Sequence, residues 1–103
     1  MASTFPSPAA LNTPIISSSS VQVAAQNLSR LGLYVYNPNS TITIWIAPLG
    51  TPAIVGGAGS MAIQPLQGLM LGPPGGIPPW TQGLNAIASS AGSNALTLYE
   101  FYP

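Results

Sequence analysis

The segment Leu31-Gly32-Leu33-Tyr34-Val35-Tyr36-Asn37-Pro38-Asn39-Ser40-Thr41-Ile42-Thr43-Ile44-Trp45-Ile46 decides how this chain folds. Its second half puts Ile42, Ile44 and Ile46 on one side and Thr41, Thr43 and Trp45 on the other, the two-residue period of a strand. The first half alternates as well, with Leu31, Leu33 and Val35 in one phase and Gly32, Tyr34 and Tyr36 in the other. Between the halves, Asn37-Pro38-Asn39-Ser40 has the composition of a turn. Residues 33–36 and 41–46 therefore read as a β-hairpin.

Outward from that segment the same pattern recurs in shorter pieces. Val21 and Val23 alternate with Gln22 and Ala24, and residues 62–66 and 68–71 look like two short strands. Residues 84–89 and 95–102 are the last two, joined by Ser90-Ala91-Gly92-Ser93-Asn94. Residues 48–60 are rich in Gly and Pro and have no period, and 72–79 read as a long surface loop. No stretch carries a sustained helical period flanked by caps. Six or seven strands at a spacing of about 8–12 residues indicate a sandwich or barrel. The expected fold is all-β, a small antiparallel sandwich or jelly-roll-like barrel, forming a single domain over residues 21–103.

Residues 1–20, MASTFPSPAALNTPIISSSS, read differently. Pro6, Pro8 and Pro14 remove backbone donors and favour extended chain. The expectation is an extended Pro/Ser-rich N-terminal arm, with Phe5, Leu11, Ile15 and Ile16 as spaced apolar anchors lying along a neighbouring protein.

Of the 103 residues only Arg30 and Glu100 are charged, 2% of the chain, with no His, Cys, Asp or Lys. An ordinary soluble domain has about 25% charged residues. A surface with no net charge promotes association, so the chain is expected to work with much of its surface covered, as a homo-oligomer or in a complex. The same inventory bears on chemistry. Paired carboxylates, Ser-His-Asp and Cys-His constellations cannot be assembled, so no enzyme is expected. One carboxylate is not a metal site, so no metal or cofactor is expected. Gly56-Gly57-Ala58-Gly59-Ser60 lacks the Lys and the helix of a phosphate cradle. A single Arg does not supply the phosphate contacts of a nucleic-acid binder. No window reaches the roughly 18 apolar residues of a membrane span, and residues 1–6 lack the features of a secretory leader.

Tyr34, Tyr36 and Trp45 are out of phase with the aliphatic side of their strands. If the aliphatic side is the core, these rings point outward, and with Trp80 they are candidates for a protein interface. The alternatives are a second core layer and a sugar-stacking patch. Arg30 and Glu100 are expected to form an ion pair, since a buried unpaired charge costs several kcal/mol. Glu100 is in phase with Leu96 and Leu98, and a bulge at Gly32 is one way to turn Arg30 inward.

The runs Asn27-Leu28-Ser29-Arg30-Leu31-Gly32-Leu33-Tyr34-Val35-Tyr36-Asn37, Ala62-Ile63-Gln64-Pro65, Gly83-Leu84-Asn85-Ala86-Ile87-Ala88 and Ala95-Leu96-Thr97-Leu98-Tyr99-Glu100-Phe101 resemble the small β-sandwich decoration, or cement, proteins of tailed-bacteriophage capsids. The resemblance covers about residues 27–101; the N-terminal arm and the loop at 72–79 depart from it. It implies a non-catalytic structural virion protein on the outer surface of a capsid, multimeric and commonly trimeric. Its partner would be the major capsid protein or another virion protein. The alternative is a tail- or surface-associated binding module that contacts a glycan or host receptor through exposed aromatics.

Overall fold

The computed structural model describes residues 7–48, 51–72 and 80–102. Ten strands are present: β1 (Ser7–Asn12), β2 (Ile15–Ile16), β3 (Val21–Ala24), β4 (Gly32–Tyr36), β5 (Ile44–Pro48), β6 (Met61–Ile63), β7 (Gly68–Leu71), β8 (Leu84–Ala88), β9 (Asn94–Ala95) and β10 (Thr97–Tyr102). No helix occurs among the described residues. The strands form two four-stranded sheets, ordered β1-β10-β4-β7 and β3-β8-β5-β6, bridged by the short pair β2-β9.

All ladders are antiparallel, and five of them nest: β1 with β10, β2 with β9, β3 with β8, β4 with β7 and β5 with β6. The chain is one long hairpin whose tip lies between β5 and β6. That hairpin is rolled up so that β10 also pairs with β4, and β8 with β5. This is a jelly roll, the double-sheet solution to the edge-strand problem.

The core lies between the sheets and is aliphatic. Leu33, Val35, Ile44, Ile46, Ile63, Leu84, Ala86, Leu96 and Leu98 meet there, with Leu33, Val35, Ile44 and Ile46 in the aliphatic phases read from the sequence and Ile42, of the same phase, only partly buried beside them. The expected hairpin of 33–36 with 41–46 is not formed. β4 and β5 lie in different sheets, and residues 37–43 carry the chain across the core edge. Asn37 makes that corner. Fully buried, it donates from Nδ2 to Ile42 O (2.7 Å) and Ile63 O (3.0 Å), and its Oδ1 accepts from the Asn39 backbone N–H (3.0 Å) and Nδ2 (2.7 Å). The composition marks a turn correctly, but the buried amide makes it a corner between sheets. Asn94 does the same at the opposite crossing, donating to Ile16 O and Ser90 O at 3.0 Å each.

The boundary expected at residue 20 is also replaced. β1 is the edge strand of the first sheet, with a bulge between Pro8 and Ala10, and Pro at an edge costs no ladder bond. Ile16 has no exposed surface and belongs to the core cluster, so it is not an anchor for a neighbour. Leu11 and Ile15 are 58% and 59% exposed and face outward. Phe5 lies outside the described residues. From Ser7 onward the segment is extended, as expected, but it extends along its own domain.

This placement separates adjacent isoleucines. Ile16→Ala should lower unfolding stability by about 2–5 kcal/mol, the cost of a cavity in a packed core. Ile15→Ala and Leu11→Ala should stay within about 0.5 kcal/mol of the parent. Urea midpoints at unchanged slope measure the difference; equal effects at Ile15 and Ile16 would return the segment to a detached arm.

Candidate protein-binding face and the Arg30 cluster

The register sets what the first sheet shows to the outside. Leu11 of β1 lies opposite Tyr99 of β10, Tyr99 opposite Tyr34 of β4, and Tyr34 opposite Met70 of β7. These four side chains form one continuous row across the sheet, on the side away from Leu33, Val35 and Leu98. The next row holds Thr97, Tyr36 and Gly68, and Phe101 follows on the other flank. A Cβ on Gly68 would come within 2.6 Å of Tyr34 Cζ, so the phenol end lies over a position with no side chain. The face is aromatic and aliphatic and carries no charged side chain. Tyr34 and Tyr36 are half-buried, while Tyr99 is 37% exposed.

The outer side of the second sheet is treated differently. Trp45 sits there, half-buried, between Ile87 of β8 and Ala62 of β6. Beside it, Asn85 donates from Nδ2 to Thr51 O (2.6 Å), and the Ala53 N–H donates to Ser20 Oγ (2.8 Å). The segment after β5 thus folds back over this sheet, and Ala47, though on its outward side, has no exposed surface. Among the described residues, the chain covers part of one sheet itself and leaves the aromatic row of the other half-buried to exposed.

Trp80 belongs to neither face. Its ring packs against the core cluster, its backbone N–H donates to Leu31 O (2.8 Å) and its backbone carbonyl accepts from Arg30 Nε (3.1 Å), while its buried indole Nε1 has no hydrogen-bond partner among the described residues. The ring is half-buried there, apart from the row that holds Tyr34.

Arg30 and Glu100 are brought together at the end of the roll, with Nη1 and Oε1 3.9 Å apart. Arg30 is only 1% exposed, Glu100 22%. The guanidinium spends its other donors on backbone carbonyls: Nε on Trp80 O, Nη1 on Ala25 O (3.3 Å) and Nη2 on Gln82 O (2.5 Å). A planar fork with five N–H groups suits three carbonyls and a carboxylate from different segments. No bulge at Gly32 is needed: Arg30 precedes β4, and Gly32 pairs in register with Phe101. The turn at Leu28 and Ser29, with the Arg30 N–H bonded to Asn27 O (3.2 Å), aims the side chain inward. Gly72 closes the same end, at φ +100°, where a Cβ would lie 2.6 Å from Leu31 O.

Two members of this cluster were not singled out from sequence. Tyr102 donates its hydroxyl proton to Glu100 Oε2 and accepts from Asn27 Nδ2 (2.9 Å). The hydrogen bond to Glu100 raises the Tyr102 pKa above its ordinary 10.0, with burial and the Glu100 charge adding in the same direction; Arg30 and the Asn27 bond oppose it. Tyr99 and Phe101, out of phase with Leu96 and Leu98, could have been found by the phase argument that marked Tyr34 and Tyr36.

Set against family models, curated proteins and solved structures, the chain matches none of them.

Arg30→Ala strands three carbonyls and leaves Glu100 without its cation, so it should cost about 3–5 kcal/mol. Glu100→Gln should cost about 1–2 kcal/mol, because its carboxylate is partly solvated. The double variant should fall short of the sum by at least about 0.5 kcal/mol, as coupled neighbours do; strict additivity in urea unfolding would remove the pairing.

Tyr102 gives a dependence on alkaline pH. The folded chain holds this proton more tightly than the unfolded chain, so the stability involved is full below about pH 10 and is lost as pH rises through the higher folded value. Tyr102→Phe should be less stable than the parent at pH 7 by about 1 kcal/mol and should lose less between pH 9 and 11. Parallel curves for the two proteins across that window would contradict the assignment.

Proposed function

We propose that this chain is a non-catalytic structural protein that works by seating an uncharged sheet face on other protein, as a decoration protein on the outer surface of a tailed-bacteriophage capsid. The observation that carries the reading is the row Leu11-Tyr99-Tyr34-Met70, open and uncharged, on a sheet whose other side is the core. Contacts of this composition, aromatic and Met-containing with charge depleted, are those of protein interface centres. The jelly roll adds support, since virus capsid domains use that architecture, although the architecture alone does not carry a function. The likeness of residues 27–101 to decoration proteins supplies the virion part of the proposal.

A second reading has one observation of its own. Tyr34 lies with its phenol end over Gly68, a ring against the sheet of the kind on which a sugar stacks. A tail- or surface-associated module that contacts a glycan would use it.

The test is composition and location in purified particles from the strain that encodes the chain. Arg30 is the sole trypsin site, so chymotrypsin, which cuts after the aromatics, is the protease for mass spectrometry. The expected result is a stoichiometric component whose density repeats over the capsid exterior. Density confined to the tail would favour the glycan module, and absence from the particles would overturn the virion reading.

A further inference from the structure

We infer that the open face of the β1-β10-β4-β7 sheet is the seat of a second copy of this chain, packed face to face about a two-fold axis parallel to the strands. The inference rests on the reading of that face as a protein contact and names its occupant: a neighbouring copy of this chain rather than the capsid protein, whose contact then falls to another part of the surface.

Charge matching selects the occupant. Burying an apolar face against a protein of ordinary composition desolvates some of that protein's charged side chains, which is costly unless each finds a partner. This face offers none: the one guanidinium is buried at the end of the roll, and the one carboxylate lies on the inward side of β10, in register with Leu33. A second copy is the partner that brings no charge either, because its own face is the same. The two sheets of the monomer differ in the same sense. The chain folds Thr51 and Ala53 back over the second sheet, but among the described residues nothing is hydrogen-bonded across the aromatic row of the first.

The row is self-complementary. Sheets packed face to face keep their strands aligned within about 30°. A two-fold axis between β10 and β4, parallel to them, lays β1 of one copy over β7 of the other and β10 over β4. Leu11 then meets Met70, and Tyr99 meets Tyr34, at each of two symmetry-related places. Aliphatic rests on thioether and ring on ring, contacts that are favourable without charge. Such an interface is isologous and closes at two copies. Four strands about 4.8 Å apart make a face smaller than the roughly 800 Å² per partner of a standard stable interface. The pair is therefore a reversible, concentration-dependent one, with dissociation in the micromolar range.

The absence of cysteine makes the arrangement directly testable. Leu11 and Met70 sit on strands three spacings apart, about 14 Å, and a disulfide needs Cα atoms within about 7 Å, so the two introduced thiols cannot pair within one chain. The variant Leu11→Cys/Met70→Cys, treated with a thiol-to-thiol crosslinker of about 8 Å reach, which spans facing side chains of sheets packed about 10 Å apart but not the roughly 14 Å within one chain, should give a single covalent species of two chains. Leu11→Cys alone and Met70→Cys alone should stay uncrosslinked. Monomers only, or an open series of higher species, would overturn the inference. As a second readout free of thiols, Tyr99→Glu places a charge in the row; it should keep its melting temperature in dilute solution and weaken association in sedimentation by about tenfold or more. An unchanged association constant, or a parent protein that sediments as a trimer or remains a monomer at about millimolar concentration, would also overturn it. The outcomes separate from those for the proposed function: a protein present on particles but monomeric in solution keeps the decoration reading and removes the second copy, whereas a dimer missing from particles does the reverse.

Discussion

A strand that leaves one sheet for the other abandons its ladder partners, and each backbone carbonyl set free inside the protein must find a donor or cost free energy. Among the described residues the three buried polar side chains, Arg30, Asn37 and Asn94, all do that work. Asn37 holds Ile42 O and Ile63 O where the chain passes from β4 to β5. Asn94 holds Ile16 O and Ser90 O beside the short β2-β9 bridge. Arg30 collects Trp80 O, Ala25 O and Gln82 O where the approaches to β4 and β8 meet. The aliphatic core supplies the driving force, but these donors fix where each strand may change sheets. Without them the same apolar phases would be compatible with other ways of rolling the hairpin.

The pattern also explains why one arginine survives in a chain otherwise stripped of cations. A lysine has three donors on a single nitrogen and no planar fork, so it cannot span carbonyls from three segments and a carboxylate. Glu100 neutralises the guanidinium at 3.9 Å and is itself held by Tyr102, which Asn27 holds in turn. Two charges thus form a structural element at one end of the roll, and the sheet faces are left to neutral side chains.

Much of the architecture was legible from alternation alone. The phases of Leu33 and Val35, and of Ile44 and Ile46, named the core, and the opposite phase put Tyr34, Tyr36 and Trp45 outside it. Pairing was not legible. Period-2 reasoning ties a strand to its neighbour in sequence, and Asn-Pro-Asn-Ser looks the same in a hairpin as in a crossing between sheets. The nested ladders of a jelly roll join β1 to β10 and β3 to β8 over most of the chain length, and no local signal encodes such contacts. The N-terminal segment was misassigned for a related reason: Pro8 and Pro14 argue against a central strand but are compatible with an edge, and Ile15 and Ile16 look alike until register sends one outward and the other into the core. Trp80 looked like an exposed aromatic because its contacts, Leu31 O and Arg30 Nε, lie far away in sequence.

The division between inside and outside has a consequence for assembly. Among the described residues, the aliphatic core lies between the two sheets of one copy, and the aromatic row lies on the far side of the first sheet. Interfaces between protomers that fold first are held by their faces rather than by a shared core, and they are correspondingly smaller and reversible. A neutral face favours that mode in a particular way. It has no charge to steer encounter over distance, so association gains little from electrostatic acceleration and depends on local concentration. It also has little to lose to salt, because screening acts on charges that are not there. A sheet of this kind adds little to a dilute solution of monomers and much to an array in which many copies are already held side by side, where weak contacts made together exceed the strength of each.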